Sequence, residues 1–187
     1  MFIQTEQTPN PATLKFLPGR DVMANGSHGA SADFPTVESA GRSPLASALF
    51  GIEGVRGVFF GGDFVTITKE DGRDWQFLKP AILAVIMEHF TSGQLLFAAG
   101  GEGETTASEE DGEVVAQIKE LLETRVRPAV AQDGGDIVFR SFEDGVVYLH
   151  LQGSCSGCPS STATLKAGIE NLLKHYVPEV REVRAAQ

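Results

Sequence analysis

Apolar positions along the chain recur with two periods, and the alternation between them sorts the sequence into short strands and amphipathic helices. Residues 2–6 and 12–17 read as strands on either side of the turn residues Pro9, Asn10 and Pro11. Residues 21–43, rich in Gly, Ser and Ala, read as loop with one short strand. Ser43 then caps a short helix with Pro44 at its first position, Leu45, Ala48 and Leu49 on one side, and its end near Gly51. Residues 55–60 and 64–68 flank the sequence GGD as a hairpin. Asp74 opens a helix in which Leu78, Ile82, Val85, Ile86, His89 and Phe90 form a stripe before Gly93, and Trp75 and the hairpin aromatics read as core.

The second half begins with Asp111 as a cap and a helix whose Val114, Ile118, Leu121, Leu122 and Val126 share one side until Pro128 limits or kinks it. After the turn QDGGD, residues 137–142 and 146–151 form a hairpin about EDG, with Val147, Leu149 and Leu151 on one face. A last helix carries Leu165, Ile169, Leu172, Leu173 and Tyr176 on one side and closes at Pro178, before a short strand over 180–183. The pattern predicts an α+β fold, built as two small α/β sandwich-type domains.

Between the halves lies AAGGEGETTASEEDG, residues 98–112, without a large apolar side chain. Such a stretch cannot bury enough surface to offset its ordering entropy, so it reads as a flexible acidic linker between domains at 1–97 and 113–187. It holds 5 acidic and no basic residues, against a net charge of -10 for the chain, so half of the acidity belongs to a solvated tether. With no basic stripe elsewhere, nucleic-acid binding is not expected. The longest apolar run, AILAVIM at 81–87, is far short of the roughly 20 residues that a membrane helix needs. The N-terminus, MFIQTEQTPNP, has no leader-like pattern, from which a bacterial cytoplasmic protein is expected, a mature organellar form having the same appearance.

The chemistry concentrates at residues 152–162, QGSCSGCPSST, which hold both cysteines of the chain, Cys155 and Cys158. A disulfide between them would close only a tiny loop and remove little entropy from the unfolded chain, so a structural staple is not expected. The loop follows a strand, and Pro159 opens a helix, so both thiols sit where the helix dipole favours thiolate and hence metal or cluster ligation. Gly153 and Gly157 keep the loop free of bulky side chains. Zinc and cubane clusters normally take four protein ligands, so one chain offers half a site and two copies would complete it. A thiol-disulfide oxidoreductase and a zinc-bridged dimer are the rival uses of the pair.

The histidines do not cluster. His150 reads as an ordinary sheet residue, His175 as a charge suited to a helix end, His89 as part of a packed stripe and His28 as loop. Asp133 and Asp136, which flank two glycines, read as a tight turn with both glycines at positive φ and the carboxylates bonding local amides, not as an acid-base pair. The cysteine loop lies outside both core stripes, so exchanging either cysteine for serine is expected to leave the fold intact.

The pieces RPAVAQDGGDIVF and VYLHLQGSCSGCPSSTATLK, a closing helix and VPEV together resemble the C-terminal domain of the NifU-like proteins. TEQTPNPATLKFLPG and GVRGVFFGGDFVTITK resemble the N-terminal domain that accompanies it in Nfu-type scaffolds. The resemblance implies an iron-sulfur scaffold or carrier, not an enzyme, that binds a 4Fe-4S cluster between two protomers through Cys155 and Cys158. It also implies a homodimer in the cluster-bound form, an upstream assembly scaffold as source, and recipient apoproteins as destination.

Overall fold

A computed structural model describes residues 1–23, 31–98, 112–156 and 159–186, with the backbone alone for 159–161. The chain divides into two compact units, Met1–Glu104 and Thr105–Gln187, each with its own apolar core. The α+β class expected from the pattern is the one observed. The expected linker lies outside the described residues except at its ends, Ala98 and Gly112, and so does the expected Asp111 cap.

In the first unit, strands β1 (Gln4–Gln7), β2 (Thr13–Leu17), β3 (Ala32–Phe34), β4 (Val55–Phe60) and β5 (Val65–Lys69) form one antiparallel sheet in the order β1-β2-β5-β4-β3. Alternate residues, Leu14 and Phe16, Val58 and Phe60, Val65 and Ile67, join the core with Leu45, Ala46 and Leu49 of helix α2 (Pro44–Phe50) and Leu78, Ile82 and Ile86 of α3 (Trp75–Ser92). Each such buried Val, Leu, Ile or Phe side chain contributes about 1.5–3 kcal/mol relative to exposure. The expected caps are present: Ser43 Oγ accepts from Ala46 N at 3.3 Å, and an Asp74 carboxylate oxygen accepts from Gln76 N at 2.9 Å. Two details differ from expectation. Ala46, not Ala48, is the buried alanine of α2, alongside Leu45 and Leu49. A one-turn helix, α1 (Val37–Ala40), occupies part of the expected loop; Thr36 and Ser39 cap each other reciprocally, a local bond pattern with no apolar period to announce it.

In the second unit, α4 (Glu113–Leu121) runs into a π-helical turn (Leu122–Val126) and resumes as α5 (Arg127–Gln132). Pro128 supplies the reason: it has no N–H to donate and its ring would press on the carbonyl four residues earlier, so the turn widens and Arg127 N–H reaches Leu122 O instead. Strands β6 (Gly135–Glu143) and β7 (Val146–Gly153) form the expected antiparallel hairpin, turning at Asp144 and Gly145 with φ of 50° and 82°. Helix α6 (Pro159–Tyr176) leads to β8 (Glu182–Ala185), which adds parallel to β7 and gives the order β6-β7-β8. Ile169 and Leu173 are buried as expected, whereas Tyr176 is 49% exposed and Val177, past the helix end, takes the core position. No helix among the described residues is long and apolar enough to cross a membrane.

Candidate functional site

Two segments that stand apart in the sequence interlock at one end of the β6–β7 hairpin. The QDGGD turn ends α5, with Gly134 at φ 81° donating its N–H to Ala131 O at 3.0 Å. The GSC loop ends β7, with Gly153 at φ 65° and paired to Gly135 in the ladder. Ser154 holds them together: its Oγ donates to Asp133 O and its N–H donates to Gly134 O at 3.3 Å. Ser156 N–H returns to Gly153 O at 3.1 Å, and Thr162 Oγ1, in the first turns of α6, donates to Cys155 O at 3.2 Å. The backbone of Cys155 is therefore held to both the strand and the following helix.

The Cys155 side chain is only 7% exposed and belongs to the core of its unit. This corrects the expectation that the cysteine loop stands outside the packed residues. The glycine at 135 explains how the thiol reaches that place. A Cβ there would lie 2.8 Å from Cys155 Sγ, 3.2 Å from Cys155 N and 2.7 Å from Gln152 O, closer than packed atoms approach. Gly135 does not adopt positive φ; of the two turn glycines only Gly134 does, so the second is required by close approach and not by backbone conformation. Cys158 lies outside the described residues, as does Gly157.

Next to Gly135 in the chain, Asp136 is buried, and its carboxylate bonds one local amide as expected, accepting from Ile137 N at 2.7 Å. Its main partner was not legible in the sequence: Arg127 donates through Nε at 2.8 Å to Oδ1 and through Nη2 at 2.6 Å to Oδ2, a two-point contact between α5 and the start of β6. Glu123 adds a bond from Arg127 Nη1 at 2.9 Å. The Asp136 hydrogen bonds hold the guanidinium above its ordinary pKa, against the opposing effect of desolvation and with help from Glu123. The only sequence signal would have been an arginine beside a proline, RPAVAQDGGD, since neither member of the pair lies on an apolar stripe.

The three histidines among the described residues are dispersed as expected, and His28, expected in a loop, lies outside the described residues. His150 sits half-buried on β7 opposite Val138, His175 is exposed near the end of α6, and His89 is buried in α3 of the other unit. Among the described residues no three His, Cys, Asp or Glu side chains come together as a ligand group. The chemistry that the described residues offer is one sulfur donor, Cys155, four residues before the start of α6.

Comparison with known proteins identifies relatives of both units. Residues 3–93 match the family model described as "Scaffold protein Nfu/NifU N terminal", and residues 118–184 match that of the "NifU-like domain". The chain is 56% identical over 184 residues to the human "NFU1 iron-sulfur cluster scaffold homolog, mitochondrial", covering 98% of this chain and 71% of the relative. It is 55% identical over 184 residues to the protein of the same name from Drosophila willistoni, covering 98% of this chain and 63% of that one. It is 57% identical over 188 residues to "NifU-like protein 4, mitochondrial" of Arabidopsis thaliana, covering 98% and 65%. The chain thus spans a little under two thirds of the fly and plant relatives. These names overturn the expectation of a bacterial cytoplasmic protein. The composition of the first residues does not discriminate compartments.

Proposed function

From the premise that the chain belongs to the Nfu/NifU scaffold family, we propose that it carries a 4Fe-4S cluster as cargo between two protomers and delivers it to recipient apoproteins. Cys155 and Cys158 are the ligands in this reading, and each protomer contributes half of a four-thiolate set. Residues 113–187 hold the cluster, residues 98–112 act as tether and residues 1–97 recognise partners. The chain is a binding and transfer module without substrate turnover, it receives clusters from an upstream scaffold, and its compartment is the organellar one of its named relatives. The observation that carries the reading is the seat of Cys155, a thiol set against a bare glycine four residues before the start of a helix.

Anaerobic reconstitution with iron and sulfide tests the proposal. The expected product is brown, contains about two irons and two sulfides per chain for one cubane per pair, and has twice the mass of the cluster-free form. Cys155→Ser and Cys158→Ser each abolish uptake. Because Cys155 is packed, its serine variant also buries a hydroxyl at a cost of about 1–3 kcal/mol, and Cys155→Ala separates loss of the ligand from that penalty. A monomer that retains a full complement of iron and sulfide sinks the shared site.

A further inference from the structure

Helix α3 buries Leu78, Ile82, Ile86 and His89 against the sheet, and the opposite side of the same helix is apolar too. Phe77 is 80% exposed and Met87 42% exposed, with Pro80, Ala81 and Ala84 exposed between them. At about 3.6 residues per turn, these five fall on one outward stripe with Glu88 and, at its end, the exposed Thr91. Glu88 is its single charge. A solvated helix face is ordinarily polar, and a helix apolar on every side ordinarily lies inside a core. Folding of the unit does not require this face, since α3 is already capped by Asp74 and anchored by its inner stripe.

We propose that the outer face of α3 docks an amphipathic helix of a partner protein, one with a Leu- or Phe-type stripe and a Lys- or Arg-bearing rim. Phe77 and Met87 are the large apolar side chains of this stripe, with the smaller Pro80, Ala81 and Ala84 between them, a pattern that suits a helix partner packing ridge into groove. The stripe offers a carboxylate and no cation, on a chain of net charge -10, so the complementary rim is basic. Its size argues against a second copy of this chain. A stable interface takes about 20–30 residues a side, and a stripe of this length supplies only a fraction of that, which suits a brief encounter anchored by one aromatic side chain. The surface belongs to the first unit and the cysteine loop to the second, and the proposal does not rest on the cluster reading.

The test uses the full-length chain with both cysteines replaced, Cys155→Ser and Cys158→Ser, so that cluster chemistry plays no part. The probe is a fluorescent synthetic amphipathic helix with a Leu stripe and a Lys rim, compared with a Glu-rimmed version and a scrambled one. The Lys-rimmed peptide is expected to bind saturably and in preference to both. Phe77→Ser and, separately, Met87→Ser each weaken it by about tenfold with unchanged far-ultraviolet dichroism. Glu88→Lys inverts the preference toward the Glu rim. The proposal is overturned by equal binding of all three peptides, or by affinity that both serine variants leave unchanged. A dimer of the cysteine-free chain that Phe77→Ser dissolves would assign the face to a second copy instead. Phe77-dependent binding to phosphatidylcholine–phosphatidylglycerol vesicles would assign it to a lipid surface, and either result overturns the proposal.

Discussion

A methyl group added at position 135 would meet two neighbours that have little room to move. Gln152 O belongs to the backbone of β7, where its residue pairs with Asp136, and Cys155 Sγ is packed in the core. Gly135→Ala is therefore expected to displace the thiol, cost about 1–3 kcal/mol as an overpacked site does, and lower the iron retained after reconstitution. Gly145→Ala is the control. It also places a side chain on a crowded glycine, there at φ 82° against Arg181 at the far end of the hairpin, so it strains the unit without touching the thiol. Urea unfolding and iron content of the two variants separate their effects: both lose stability, and only Gly135→Ala loses iron out of proportion. Wild-type loading by Gly135→Ala would remove the close approach from the account of the site. This was the part of the site least legible in the sequence. Both glycines of QDGGD suggest a turn, which Gly134 makes, but the need for Gly135 comes from a side chain that arrives only after the whole hairpin has been formed.

At the scale of elements, the site depends on how α5 is tied to the start of β6. The apolar stripes of α4 and α6 and the alternation of β7 were legible because each is a local period set by one helix or strand. The π-helical turn and its consequence were not, since the registry change before Pro128 leaves no period of its own. Where the helix resumes, Arg127 meets Asp136 through two bonds, beside the glycine on which Cys155 rests. Removing one member of a buried pair leaves the other charge poorly compensated, so Arg127→Ala is expected to destabilise the unit by about 3–5 kcal/mol. Arg127→Lys recovers little, because an ammonium cannot make the two-point contact. The denaturant midpoint of each variant is the measurement. A loss below about 1 kcal/mol for Arg127→Ala, the scale of an exposed pair, would show that the contact does not hold α5 to the sheet.

At the scale of the molecule, two compact units with separate cores predict two separate unfolding transitions, and their titratable groups predict different responses to acid. In the first unit, burial lowers the pKa of His89 from its ordinary 6.5. The folded unit therefore favours the neutral ring, and the unfolded chain takes up a proton first. Stability from this source is complete above pH 6.5 and is lost as pH falls below 6.5 through the folded pKa. In the second unit, Glu170 is held below its ordinary 4.5 by the Lys174 ammonium and by the Val183 amide, a bond that joins α6 to β8. Its contribution is present above pH 4.5 and is lost only as pH falls below that value. Calorimetry at about pH 7 and about pH 5.5 should therefore show one transition moving down and the other nearly still, with His89→Leu abolishing the movement. Assigning the mobile transition to the first unit requires only that Arg127→Ala shift the other one. If the two transitions move together, or if His89→Leu leaves the acid response in place, the acid sensitivity resides elsewhere than in the buried imidazole.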